Sequence, residues 1–455
     1  MGRARDPRPK RPARRFAARA GRVIGTTICT ALLVALTAAS GGALAQEAPD
    51  AAMPKAIKRY TDTRADCFLP DERQDYDEWI DQFRETIPGC EIGVIPPQRT
   101  IQSYRVYKRG SNRVIDCSTL RKNEFGTRFL DTYLEEVVSR SEAAADSPKA
   151  AACAANMLHA WAGADAMTRL GDDGNTNQSQ HKISWTLGGL SAAYFAHPEV
   201  REAAREIATE NGTADDEIIA WFRELTGPVS AMIDRERKAK NEDNLQYWRG
   251  YAILPTAFMA EDAELMAQSR RVFDAALDQV TMGSKDPRND GFLPLEMERG
   301  DRSLHYQTYA SMPVLAMAMM SKARGCGFLE SDAQRERLTL MLSRALEGRA
   351  QPRIVARQVA RYSKNGKAVE QKKTSTVRDA AQLIYLAYQI DPALYEAVDA
   401  NLAAFIGEPA PVYKPSVGQK ASYDRLGGDY RALAKAAKRD GPPPAPLAAV
   451  CEAGG

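Results

Sequence analysis

The sequence predicts an all-α protein built from antiparallel helical hairpins. Three observations lead there. From about Phe125, apolar residues such as Phe129, Leu130, Tyr133, Leu134 and Val137 recur three and four positions apart, the spacing of one helix face. Clusters of Gly, Asn, Asp and Pro at 171–178, 284–294 and 408–415 cut this pattern into helix-sized lengths. Alternation of period two, the mark of a half-buried strand, is scarce.

Taken in chain order, residues 1–45 read as a secretory signal peptide. Nine Lys/Arg and one acid fill residues 1–22, an apolar run extends from Val23 to about Ala38, and Ala43-Leu44-Ala45 offers a small-residue cleavage pattern. Residues 46–120 form an irregular N-terminal segment. It carries a basic, lid-like loop, Tyr107-Lys108-Arg109-Gly110-Ser111-Asn112-Arg113. The helical domain spans 121–438. Beyond the helix from Phe125, helices are expected at 148–169, 180–196, 198–210, 214–237, 244–260, 262–281, 304–322, 332–347, 375–391 and 393–406. The basic stretch 351–373 suits a short hairpin or a mobile loop, and 439–455 a frayed Pro-rich tail. Short loops between such helices imply antiparallel neighbours. No internal repeat is visible, so a solenoid of identical units is not expected.

Charge narrows the partners. Without residues 1–45, basic residues fall from 62 to 53 and acidic ones from 59 to 58, a net charge of −5. Such a chain has no global attraction for nucleic acid, and any acidic ligand must be held by a local cluster of cations and amides. No other stretch is apolar enough to span a membrane, which takes about 20 residues. Six cysteines follow the signal: Cys67, Cys90, Cys117, Cys153, Cys326 and Cys451. An even count in an exported chain suggests disulfides; six Cys allow about 15 connectivities, among which sequence alone does not choose, and Cys67–Cys90 and Cys117–Cys153 are two trial pairings. The four His are not paired at ligand spacing and Cys-x-x-Cys is lacking, so neither a metal nor another cofactor is expected.

Two segments place polar and aromatic residues on otherwise apolar helices. One is Asn244-Leu245-Gln246-Tyr247-Trp248-Arg249. The other runs from Asp290 through Glu296, Arg299, Arg302, His305 and Tyr306 to Tyr309. On a helix, Arg302, Tyr306 and Tyr309 share a face. Such a set suits β-elimination of a 4-linked polyuronate. That reaction needs the sugar carboxylate neutralised, a base for the C5 proton and an acid for the leaving O4. Asn and Arg donors can stabilise the carboxylate as charge builds on it. A Tyr can act as base and then acid if cations lower its pKa from about 10. A flanking Trp supplies a flat surface for a sugar ring.

These segments resemble the signature regions of the alginate lyases of polysaccharide lyase family 5. That family reads Asn-Asn-His-x-Tyr-Trp in the first segment. In the second it reads Asp-Gly-x-Leu-Pro-x-Glu-Leu-x-Arg, then Arg-Ala-Leu-x-Tyr-His-x-Tyr-Ala-Leu. The second appears here as DGFLPLEMERGDRSLHYQTYASMPVLAMA. Trp185 in WTLGGLSAAYF, Cys153 and Trp161 in CAANMLHAWAGADAM, and Arg425-Leu426-Gly427-Gly428-Asp429 also have counterparts. The resemblance runs from about 105 to 430. It implies an incomplete α/α toroid of helical hairpins around a deep groove, and metal-independent cleavage of mannuronate-rich chains. Carried over by position, Asn244 and Arg299 match the carboxylate-binding residues and Tyr306 the catalytic Tyr. Trp185, Tyr247, Trp248, Arg302, His305, Tyr309, Lys108 and Arg109 complete the expected binding groove.

Two positions depart from that pattern. Leu245 stands where the family has its catalytic His, and Leu can neither donate nor accept. Gln307 replaces the His after the catalytic Tyr. His305 and His181 are the candidate substitutes, with His305 expected about 100° around the helix from Tyr306. A second reading is therefore a weak or inactive acidic-polysaccharide-binding protein of an exopolysaccharide export system. A third, an inverting hydrolase, would need a carboxylate pair, and the spacing of Asp290, Glu296 and Glu298 marks none.

Overall fold

A computed structural model describes residues 78, 80–109, 114–171, 176–214, 216–363, 366–371, 383, 386–406, 422–439 and 445–452. The expected signal peptide, Cys67, Gly110–Arg113 of the basic loop and the 408–415 break lie outside the described residues.

Helices begin where the sequence supplies caps. Asp116 accepts from the backbone of Ser118 and Thr119 to open α1 (Cys117–Ala143). Ser147 caps α2 (Pro148–Gly163), whose Pro148 occupies the first turn, where no N–H is needed. Then come α3 (Thr176–Ala196), α4 (Pro198–Asn211) and α5 (Glu217–Lys238). Asp243 caps α6 (Asn244–Met259) and Asp262 caps α7 (Ala263–Asp278). The short α8 (Pro294–Met297) and a 3-10 turn at Gly300–Arg302 lead into α9 (Ser303–Ala323). A Ser331–Gln334 capping box starts α10 (Asp332–Ala350). The remaining helices are α11 (Pro352–Tyr362), α12 (Pro392–Ile406), α13 (Tyr430–Arg439) and α14 (Ala445–Glu452).

Helices α1, α3, α6 and α9 pack side by side in that order, forming one layer. Behind them α2, α4, α5, α7 and α10 form a second. Each member of the first layer is followed by one of the second, so the chain winds as hairpins into an incomplete α/α toroid. Helices α6 and α9 are apolar nearly all round and buried along most of their length, as expected of enclosed helices. The first-layer helices run alike, since His181 and then Gly188 of α3 meet Arg249 and then Ala252 of α6, and Trp248 of α6 meets Tyr309 of α9, so their N-terminal turns share one end.

Two regions differ from the sequence expectation. Residues 352–362 form a helix rather than a hairpin or loop, because Val355, Gln358 and Val359 fall on one side and are buried. Residues 445–452 are helical rather than frayed. Leu447 is buried, and Cys451 is disulfide-bonded to Cys326. The other described disulfide joins Cys90 to Cys153. Both trial pairings are thereby corrected, since Cys90 and Cys153 bond each other. Cys117 is disulfide-bonded as well.

The N-terminal segment is irregular but anchored. Cys153 ties it to α2, and the Trp161 indole donates to the Ile95 carbonyl at 3.1 Å. A β-bridge between Tyr107 and Ile115 turns the basic loop back on itself. Near the other end, β1 (Ser422–Tyr423) and β2 (Gly428–Asp429) pair antiparallel around a 3-10 turn, Asp424–Leu426. Gly427 there has φ +80°, and a Cβ on it would stand 2.6 Å from that of Ala192. Only glycine lets this turn sit on α3.

Candidate active site

The site gathers at the N-terminal turns of α3, α6 and α9, where helix dipoles favour negative charge. Asp243 does two jobs at the start of α6. One carboxylate oxygen accepts from the Leu245 backbone N–H at 3.1 Å, and the other is ion-paired with Arg299. The Arg299 guanidinium carbon then stands 5.0 Å from the centre of the Tyr306 ring. The Tyr306 phenol is hydrogen-bonded to that of Tyr107 from the basic loop.

From Tyr306 the contacts continue round. His305 meets it edge-on at 5.2 Å and stacks on Tyr309 at 5.8 Å. Arg425 donates to the Tyr309 hydroxyl at 2.8 Å, and its guanidinium carbon lies 4.3 Å from the centre of the Trp185 ring. His181 adjoins Trp185 and faces Arg249 at 2.9 Å. Arg249 feels the negative charge of Asp243, which closes the circuit. Tyr306, His305, Tyr309, Trp185, His181 and Arg425 are all half-buried, as residues around a ligand-accepting space are.

Asn244, Arg299 and Tyr306 thus converge, but through a carboxylate that sequence reasoning did not place. Glu296, fully buried, accepts from the Asn244 backbone N–H at 2.7 Å. Its two oxygens also take the Asn244 side-chain amide at 3.0 and 2.9 Å. Arg299 lies 3.7 Å from the same carboxylate. Asn244 is 1% exposed, and its side-chain nitrogen donates to the Glu296 carboxylate, within reach of both oxygens. It is therefore not presented to a sugar carboxylate, contrary to expectation. Burial, then the charge of Asp243, push Glu296 up to about 7, against the pull of Arg299 and Asn244.

Tyr306 also departs from expectation. Burial and the Tyr107 phenol outweigh Arg299 and Arg302 and drive its pKa up, not down. Arg302 ends the 3-10 turn before α9, so it does not share a helix face with Tyr306 and Tyr309 as expected. His305 takes that place, one turn from Tyr309.

Tyr247 and Trp248 are 0% and 1% exposed and belong to the core. The Trp248 ring lies 4.9 Å from that of Tyr309 and offers no face to a sugar. Trp185 keeps partial exposure. Lys108 and Arg109 are exposed beside Tyr107. Gln307 is buried; it accepts from the Leu293 N–H at 3.1 Å and donates to the Gly291 carbonyl at 3.1 Å. It pins the Asp290-Gly291 turn and stays out of the groove.

A model of the alginate lyase family matches residues 131–355. An alginate lyase of Pseudomonas fluorescens (strain Pf-5) is 30% identical over 292 residues, covering 61% of this chain and 72% of that protein. The chain belongs to the alginate lyase family. It is a polysaccharide lyase. A protein named polysaccharide lyase from Stenotrophomonas maltophilia (strain K279a) is 28% identical, covering 56% of this chain and 72% of its own. The solved structure of alginate lyase A1-III from Sphingomonas species A1 superposes with a TM-score of 0.49 at 17% identity, over 84% of this chain and 93% of that one. The family match includes α3, α6 and α9, so it spans most of the lyase's contact circuit. Tyr107 and Arg425 lie outside it, and sequence reasoning gave no role to Tyr107, Asp243, Arg249 or Glu296. The one sequence signal for Arg249 and Glu296 was their place inside the two polar segments, and Asp243 lies just ahead of the first.

Proposed function

We propose that this lyase cleaves a 4-linked polyuronate, alginate or a mannuronan-like polymer, by β-elimination in the periplasm. The observation that carries the reading is Tyr306, half-buried between the Arg299 guanidinium and the Tyr107 phenol. Arg299 neutralises the uronate carboxylate. Tyr306 takes the C5 proton as its phenolate and returns it to O4 as the C4–O4 bond breaks. Asn244 acts one step back, holding Glu296 beside Arg299. Trp185 and Arg425 flank the bound chain, and Lys108 and Arg109 draw the polymer in from the exposed loop. The relatives named alginate lyase support the substrate class, and the basic, then apolar, residues 1–45 support export. An exopolysaccharide export system is the proposed setting. The test is incubation with a panel of polyuronates, reading the ultraviolet absorbance of the unsaturated product, with Tyr306→Phe as the reference. Absorbance should rise with the wild type and not with the variant.

A further inference from the structure

Leu245 leaves the first turn of α6 without an imidazole, yet one reaches the same circuit from α3. His181 lies in the second turn of that helix, half-buried. Its Nδ1 is 2.9 Å from a terminal nitrogen of the Arg249 guanidinium. Arg249 is buried, and its other terminal nitrogen donates to Gln246 at 2.9 Å. A guanidinium can only donate, so Nδ1 accepts and the single ring proton resides on Nε2. Nε2 has no hydrogen-bond partner among the described residues, and it is not one of the buried unpartnered polar atoms, so solvent reaches it. The neighbouring rings and charges on the circuit are Trp185 and, beyond it, Arg425.

We infer that His181 is a catalytic residue of this lyase, a neutral imidazole whose Nε2–H donates to the uronate carboxylate as negative charge builds there. The inference rests on the lyase reading above and adds one donor to it. When the C5–H bond breaks, its proton passes to Tyr306 and charge spreads into the carboxylate. When the C4–O4 bond breaks, that charge becomes the new double bond and O4 takes the proton from Tyr306. His181 keeps its own proton throughout. It cannot serve as the base, because one nitrogen is engaged by Arg249 and the other is protonated. Burial and the charges of Arg249 and Arg235 hold it well below the ordinary imidazole range. Lys182, next on α3, is ion-paired with Asp131 at 3.0 Å. A neutral donor of this kind stabilises developing charge without first needing a proton.

The experiment compares full-length wild type, Tyr306→Phe, His181→Ala and His181→Gln on the polyuronate panel, together with nitrogen NMR of the wild-type histidines. His181→Ala should lower kcat by about 10²–10³-fold, as loss of one such donor does, with KM changing less. Gln retains an N–H and should recover part of the loss. NMR should show the His181 proton on Nε2 and no protonation through neutral pH. His181→Ala at wild-type kcat, a proton on Nδ1, or an imidazolium at neutral pH would overturn the inference. Because the NMR uses unaltered protein, a variant that fails to fold does not block the test. A wild type silent on every uronan would sink the lyase reading itself, whereas an active His181→Ala beside a silent Tyr306→Phe would sink only the role of His181.

Discussion

Tyr107 and Tyr306 stand 199 positions apart in the chain and share a hydrogen bond between their phenols. The loop that carries Tyr107 is thereby joined to the helix that carries the reactive phenol. Removing the partner should make Tyr306 easier to ionise, because burial and then the Tyr107 phenol raise its pKa. Tyr107→Phe should therefore move the rising limb of the pH–rate profile to lower pH. Steady-state kinetics on mannuronan across pH check this, and an unchanged profile would detach Tyr107 from the reaction.

The pH profile follows from the direction of the Tyr306 shift. Burial and Tyr107 raise its pKa above the ordinary tyrosine value, and Arg299 and Arg302 only partly offset them. The reactive form is the phenolate, whose population below its pKa grows about tenfold per pH unit. Activity should therefore climb from neutral into alkaline pH. A maximum below pH 7, with decline above it, contradicts the assignment of Tyr306 as base.

Glu296 predicts a stability effect of opposite sense to the usual carboxylate. Its pKa rises on folding from 4.5 to about 7, so between those values the folded protein binds the extra proton. The Glu296 contribution to stability is then fully present below the unfolded value and falls as pH rises toward 7. Thermal melts of wild type and Glu296→Gln from acid to neutral pH should show the variant losing less stability over this window. Parallel curves would mean that Glu296 titrates normally.

Lys108 and Arg109 are exposed beside Tyr107, where long-range attraction acts and salt screens it. Replacing both with Ala should raise KM at low ionic strength and leave kcat nearly unchanged. The difference from wild type should shrink as salt is added. A kcat effect without a KM effect would place them in the chemistry instead.

The helical scaffold was legible because burial writes itself into sequence. Helices α6 and α9 read as long apolar runs and α1 as a periodic stripe. Helix α11 escaped because only Val355, Gln358 and Val359 are buried amid exposed or half-exposed basic residues, so its charge masked its pattern. The C-terminal helix escaped because it is short and held by Cys326, whose partner cannot be chosen from spacing. In the site, Arg299 and Tyr306 were legible through their motif. Trp248 misled because an aromatic beside polar residues reads the same whether it lines a groove or packs under Tyr309. Glu296 was invisible as a partner of Asn244 because that contact spans 52 positions and exists only once α6 and α8 meet. The pairing of His181 with Arg249 depends on helix packing in the same way.

Cleavage of a polyuronate through the Tyr306 phenol is tested most directly by product absorbance, wild type against Tyr306→Phe, across mannuronan, guluronan and other uronans. A rise on at least one polymer with wild type, absent with a variant that melts like wild type, is the predicted result. Polymer binding with no unsaturated product from wild type on any of them, or equal product from Tyr306→Phe, would contradict it.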